Sequence, residues 1–141
     1  MGFWDSSPFG NDDAADFAVE LDESTAQGRI EMVGAVLERV ATTGITEDLD
    51  AGDAPRAVAA AALVAAQAPA GKPTQSDYGP STPMPQFPGF LSQLAIGALD
   101  RLVTPPSWLA DAWSGDAAWH QTINDLRNVL DPLQAETLFD L

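Results

Sequence analysis

The chain has 141 residues, 45% of them hydrophobic, and 21 acidic side chains against 6 basic ones give it a net charge of −15. That length suits one domain, residues 1–141, burying roughly 70% of its unfolded surface. So acidic a surface argues against nucleic acid and membrane as partners and favours a basic protein or a divalent cation, while the absence of cysteine removes disulfides, a thiol nucleophile and cysteine-built zinc.

The N-terminal twenty residues are unusual for a chain end, with Phe3, Trp4, Pro8, Phe9 and Gly10 ahead of the first helix. So much apolar bulk in a loop predicts that it packs against the body. There is no basic stretch followed by an apolar run, so no signal peptide is expected. Met1-Gly2 followed by Ser6 meets only the loose myristoylation pattern, into which Phe3 and Asp5 fit poorly. The expected location is the cytoplasm.

Asn11 is a good N-cap, and Asp12, Asp13 and Asp16 place negative charge at the first turn. A first helix is predicted over 12–21, with Phe17 and Leu21 inward and Phe9 stapling its start. The second, 25–43, carries the stripe Ile30, Val33, Leu37 and Val40 and turns Glu31, Glu38 and Arg39 away. Gly44 ends it, and residues 45–52 read as an acidic loop. Asp53 is the expected cap of a third helix over 54–68, with Pro55 in its first turn. Only Arg56 and Gln67 are polar there, so this helix is expected at the centre. Its longest apolar run, Ala57 to Ala66, is far below the roughly 20 residues a membrane helix needs.

Residues 69–88 hold prolines at 69, 73, 80, 83 and 85 and read as a long proline-rich loop. A fourth helix over 89–103 puts Leu91, Leu94, Ala95, Ala98 and Leu102 on one face, widened by Phe90 and Leu99. Pro105-Pro106 opens a short fifth helix carrying Trp108, Leu109, Ala112 and Trp113. Ser114-Gly115-Asp116 is a turn and cap for a sixth, 117–130, with Trp119, Ile123, Leu126 and Leu130 inward. Asp131-Pro132 stops it, and the tail to Leu141 is weakly amphipathic. Nothing alternates with period two for long enough to make a strand. The expected fold is all-α, a bundle of about six helices.

Asp12, Asp16 and Glu20 stand at i, i+4 and i+8 with Asp13 beside them, and like charges at that spacing repel unless a cation sits among them. Such oxygen ligands would suit magnesium, calcium or manganese; otherwise they are a solvated face, and no other cofactor is implied. Residues 47–53 echo a calcium loop but fail it, because with Asp48 at position 1 the glycine falls at position 5 and Ala59 stands where glutamate is needed. His120 could be imagined with Ser114 and Asp116 or Asp125, but no nucleophile elbow accompanies it. The tryptophans at 108, 113 and 119 read as core packing, with an exposed patch as the alternative.

The opening MGFWDSSPFGNDDAADF is similar to that of a family of small bacterial proteins, domain of unknown function 4259. The matching residues are Met1, Gly2, Trp4, Phe9, Asn11, Asp12, Ala14 and Asp16. The alanine-rich helix, the run 94–101 and the Trp113/Trp119 region resemble it too. The chain departs at Asp5 and Ser7, where the family usually has glycine, and at Phe17 in place of tryptophan. The resemblance implies a bacterial origin and a shared fold, and supplies no activity or catalytic residue.

Three functional expectations follow. The first is a non-enzymatic, acidic protein-binding domain, immunity- or antitoxin-like, that meets a basic partner through Trp4, Phe9, Asn11, Asp12, Asp13, Asp16 and Glu20. The second is a hydrolase using a divalent metal on Asp12, Asp16 and Glu20, although bundle sites usually draw ligands from several helices. The third is a purely structural N-terminal motif. Oligomeric state is not legible.

Overall fold

The computed structural model describes residues 7–44, 46–47, 49–50, 52–68, 79–104, 107–113 and 115–131. The expectations for Trp4, for the first half of the proline-rich loop and for the tail after Asp131 lie outside these residues. So do Asp48, Pro105-Pro106 and Ser114.

Local capping sets where the helices begin. Asn11 accepts the Ala14 N–H at 2.8 Å and starts α1, Asp12–Asp22. Thr25 accepts the Gly28 N–H at 3.0 Å and starts α2, Ala26–Ala41. Ser107 and Asp116 do the same, at 3.2 and 2.9 Å, for α5, Trp108–Ala112, and α6, Ala117–Leu130. Each side-chain oxygen satisfies one amide that the first turn leaves open. α3, Asp53–Ala66, and α4, Phe90–Val103, begin after Gly52 and Gly89, which have no side chain to cap with.

Two local expectations are corrected here. Asp53 does not cap α3. The Asp50 carboxylate does, accepting the Gly52 and Asp53 amides at 2.9 and 3.0 Å. The Asp53 carboxylate is thereby left to pair two-pronged with Arg39 at 3.0 and 3.1 Å. Phe90 does not widen the inner face of α4, for it is 63% exposed. It sits about 100° around the helix from Leu91, in the first turn.

The elements in the described residues are these six helices and no strand: an all-α bundle. α2, α3 and α4 make the most extensive mutual contacts, α6 packs on α3 and α4, α5 on α4, and α1 on α3 and α2. α3 is the buried centre, as its composition predicts: from Ala54 to Ala65 every residue but Arg56 is buried. Its row of alanines lets four neighbours approach a single helix. Small residues also set the α2–α4 approach, since a Cβ on Gly34 would stand 3.3 Å from Leu91 and one on Gly97 3.4 Å from Ala41.

The loop between α2 and α3 is held from within by Arg101 of α4, itself only 6% exposed. Its guanidinium donates to the carbonyls of Thr43 (2.9 Å), Gly44 (3.3 Å), Glu47 (3.0 Å) and Thr104 (3.0 Å). A buried charge is tolerable only with such partners. No helix of the described residues is long and apolar enough to cross a membrane.

Candidate functional site

α1 divides cleanly by its 3.6-residue period. Ala14, Phe17, Ala18 and Leu21 are buried against the bundle, while Asp12, Asp16, Val19, Glu20 and Glu23 beyond its end are exposed and Asp13 is half-buried. Of the six described residues expected on a partner face, only Asp12, Asp16 and Glu20 are exposed. Phe9 and Asn11 are not, at 1% and 5% exposure. Phe9 is a core side chain and Asn11 a buried cap, so both act on the fold by fixing how α1 starts. Neither has surface to offer a partner.

Among the described residues, no ion pair involves the outward acids Asp12, Asp13, Asp16 or Glu20. Four of the five arginines are engaged elsewhere, and the fifth, Arg56 of α3, comes near Asp13, since a Cβ on Gly52 would stand 3.8 Å from both its Nη1 and an Asp13 carboxylate oxygen. Arg29 donates to the carbonyls of Leu21 and Pro83, and Arg101 holds the carbonyls already named. Arg39 holds Asp53, whose hydrogen bond, partly opposed by burial, raises the guanidinium above its usual value. Arg127 is raised likewise, first by its hydrogen bond to Asp100 at 2.7 Å and also by Asp131.

Asp22 is the exception on α1. Burial works to raise its carboxyl, but the amides of Ser81 and Thr82, the Thr82 hydroxyl and the charge of Arg29 together hold it below the usual value. Sequence reasoning passed over this residue. The signal was there: an acid at a helix C-terminus opposes the dipole and calls for an outside partner.

Asp12, Asp16 and Glu20 do not converge. Eight residues of helix separate the first from the last by about 12 Å, whereas one ion gathers its oxygens within about 2.0–2.6 Å. Among the described residues no group of three His, Asp or Glu side chains is placed to hold a metal ion. His120 is half-buried and lies edge-on to Trp119, with centroids 5.0 Å apart. Its neighbouring acids are otherwise engaged, Asp116 in capping Trp119 and Asp125 in accepting from Gln121 at 2.7 Å. Trp119 is 4% exposed and stacks in parallel on Trp113 at 6.3 Å, so this pair is core packing.

Shallow cavities on the described surface include two that lie beside polar groups. One, of about 330 Å³, lies between the end of α2 and the start of α3 and is lined by Arg39, Thr42, Thr43, Glu47, Asp50 and Asp53 among others. Its polar groups are already bonded: the two threonine hydroxyls donate to the Glu38 and Arg39 carbonyls, and Glu47 accepts the Gly44 amide. The other, of about 360 Å³, lies at the C-terminal end of α3. Neither gathers a nucleophile, a base and an oxyanion donor.

Comparison with curated proteins and with solved structures finds no match. A family model, the domain of unknown function DUF4259, matches residues 2–124, from ahead of α1 into α6. The chain therefore belongs to the DUF4259 family.

Proposed function

We propose that this protein is a non-enzymatic binding domain whose outer α1 face, with Asp12, Asp16 and Glu20, docks a basic protein. One observation supports this: a run of exposed carboxylates that make no ion pair among the described residues, where Arg29, Arg39, Arg101 and Arg127 are held by the protein's own groups. Leaving these charges unneutralised costs self-repulsion, which a cationic partner relieves. Such complementarity chiefly speeds encounter and selects partners, and Val19, 55% exposed within the stripe, adds apolar contact area. Neutralisation of a basic protein in the cytoplasm, as an immunity protein or antitoxin does, is the concrete form.

The test compares two baits at low salt in lysate of the native cell: the intact protein, and a variant carrying Asp12→Asn, Asp16→Asn and Glu20→Gln. The expected result is one basic protein retained by the first and lost by the second. It should also be released at about 0.5 M salt, where the screening length falls to roughly 4 Å. Equal retention by both baits would remove α1 from the interface, and capture of nothing basic would end the charge-based proposal.

A further inference from the structure

Residues 79–88, the described part of the proline-rich loop, are tied to the body by side chains of α1, α2 and the C-cap of α3. Asp22, at the end of α1, accepts the Ser81 amide on Oδ2 at 2.9 Å and the Thr82 amide on Oδ1 at 2.8 Å. Arg29 of α2 donates from Nε to the Leu21 carbonyl at 2.9 Å and from Nη1 to the Pro83 carbonyl at 3.2 Å. Gln67, just after α3, donates to the Pro85 carbonyl at 2.8 Å and accepts the Phe87 amide at 2.9 Å.

Apolar anchorage is concentrated at one side chain: Phe87 is buried in the core, Pro80, Met84 and Pro85 are half-buried, and Ser81, Pro83, Gln86 and Pro88 are exposed. Beneath the segment, Leu63 and Ala66 of α3 line the cavity of about 360 Å³, and residues 80–84 form its other side.

We propose that residues 79–88 form a strap that opens and closes as one unit on an otherwise folded body, with Asp22 as its latch. Segments held largely by hydrogen bonds that water can replace open below the free energy of global unfolding. The Asp22 clasp is two-pronged and charge-assisted, one oxygen to each of two successive amides, and only a carboxylate supplies both acceptors. Opening bares Leu63 and Ala66 and frees a carboxylate beside the exposed Glu20 and Glu23. The strap thus sets both an apolar surface on α3 and the charge that α1 shows at its C-terminal end. It does so whether or not α1 docks a basic protein.

Amide hydrogen exchange on the full chain tests this, with the Ser81, Thr82 and Phe87 amides as strap probes and Val36, Leu37 and Leu99 as core probes. The three strap amides are expected to exchange together, faster than the core by roughly a hundredfold. Asp22→Asn keeps one acceptor oxygen and turns an NH₂ toward an amide. It should speed all three strap amides about tenfold, including the distant Phe87, and leave the core unchanged. Gln67→Leu, at the other end, should likewise speed Ser81 and Thr82. If each variant affects only the amides it touches, the strap is not one unit. If strap and core exchange at one rate, or accelerate by one factor, it opens only by global unfolding. Each of those results overturns the proposal.

Discussion

Replacing Arg101 by methionine is the sharpest probe of how the bundle is held together. Methionine keeps an unbranched apolar stem in a site that is 6% exposed, so packing is largely conserved while every donor is removed. The carbonyls of Thr43, Gly44, Glu47 and Thr104 then lose a charged partner. A hydrogen bond to a charged group contributes about 1.5–3 kcal/mol, but two effects reduce the sum. Removing the guanidinium relieves a burial cost of several kcal/mol, and Glu47 and Thr104 are exposed enough for water to reach their carbonyls. A net loss of about 2–4 kcal/mol remains, which at roughly 3 °C per kcal/mol for this size lowers Tm by about 6–12 °C. Far-UV circular dichroism melts measure it, and exchange of the Glu47 amide, bonded to the Gly44 carbonyl at 3.0 Å, reports the loop directly. Lysine should recover only part of the loss, since one ammonium cannot reach Thr43 and Thr104 together. An Arg101→Met protein that melts within about 1 °C of the parent would show that this network contributes nothing net, and the reasoning would fall.

Asn11→Ala removes the buried cap of α1 and should cost about 1 kcal/mol, read as a shift in urea midpoint at unchanged m-value. At the α2–α4 approach the two glycines should behave oppositely. Gly34→Val drives methyl groups at Leu91, 3.3 Å from the added Cβ, and should destabilise by about 1–3 kcal/mol. Gly97→Ala meets Ala41 at ordinary distance, 3.4 Å, and should be neutral or stabilising by up to about 1 kcal/mol in the same titration. Asp22, whose carboxyl is held below its usual value, contributes stability that is present above the unfolded-state value of about 3.9 and is lost as pH falls through the lower folded-state value. Acid unfolding of Asp22→Asn should therefore be less steep below about pH 4, and an unchanged acid limb would refute the latch's charge.

The residues that locate the helices act within one turn, which is why they could be read without coordinates. Asn11 and Asp116, the caps the sequence pointed to, lie three residues from the amides they cap, and the predicted span of α6 is the observed one. The burial of α3 was equally legible, because a helix with almost no polar residue has nowhere else to go. The acid spacing on α1 was also plain in the sequence, and the three acids it singled out are the exposed ones.

Tertiary structure decided the rest, since those interactions join residues far apart in the chain. Arg101 reaches carbonyls up to 58 positions away, and Asp22 holds amides 59 and 60 positions on; no local pattern pairs them. The same holds for Phe9, a loop aromatic that could have faced a partner until the bundle closed over it, and for Asp53, drawn from its capping place to Arg39. By itself the sequence determined six helices, their order, the buried centre and an acidic α1. Which of its polar side chains bind the protein's own backbone and which remain for another molecule was settled by packing, because the geometry of distant segments chooses each partner.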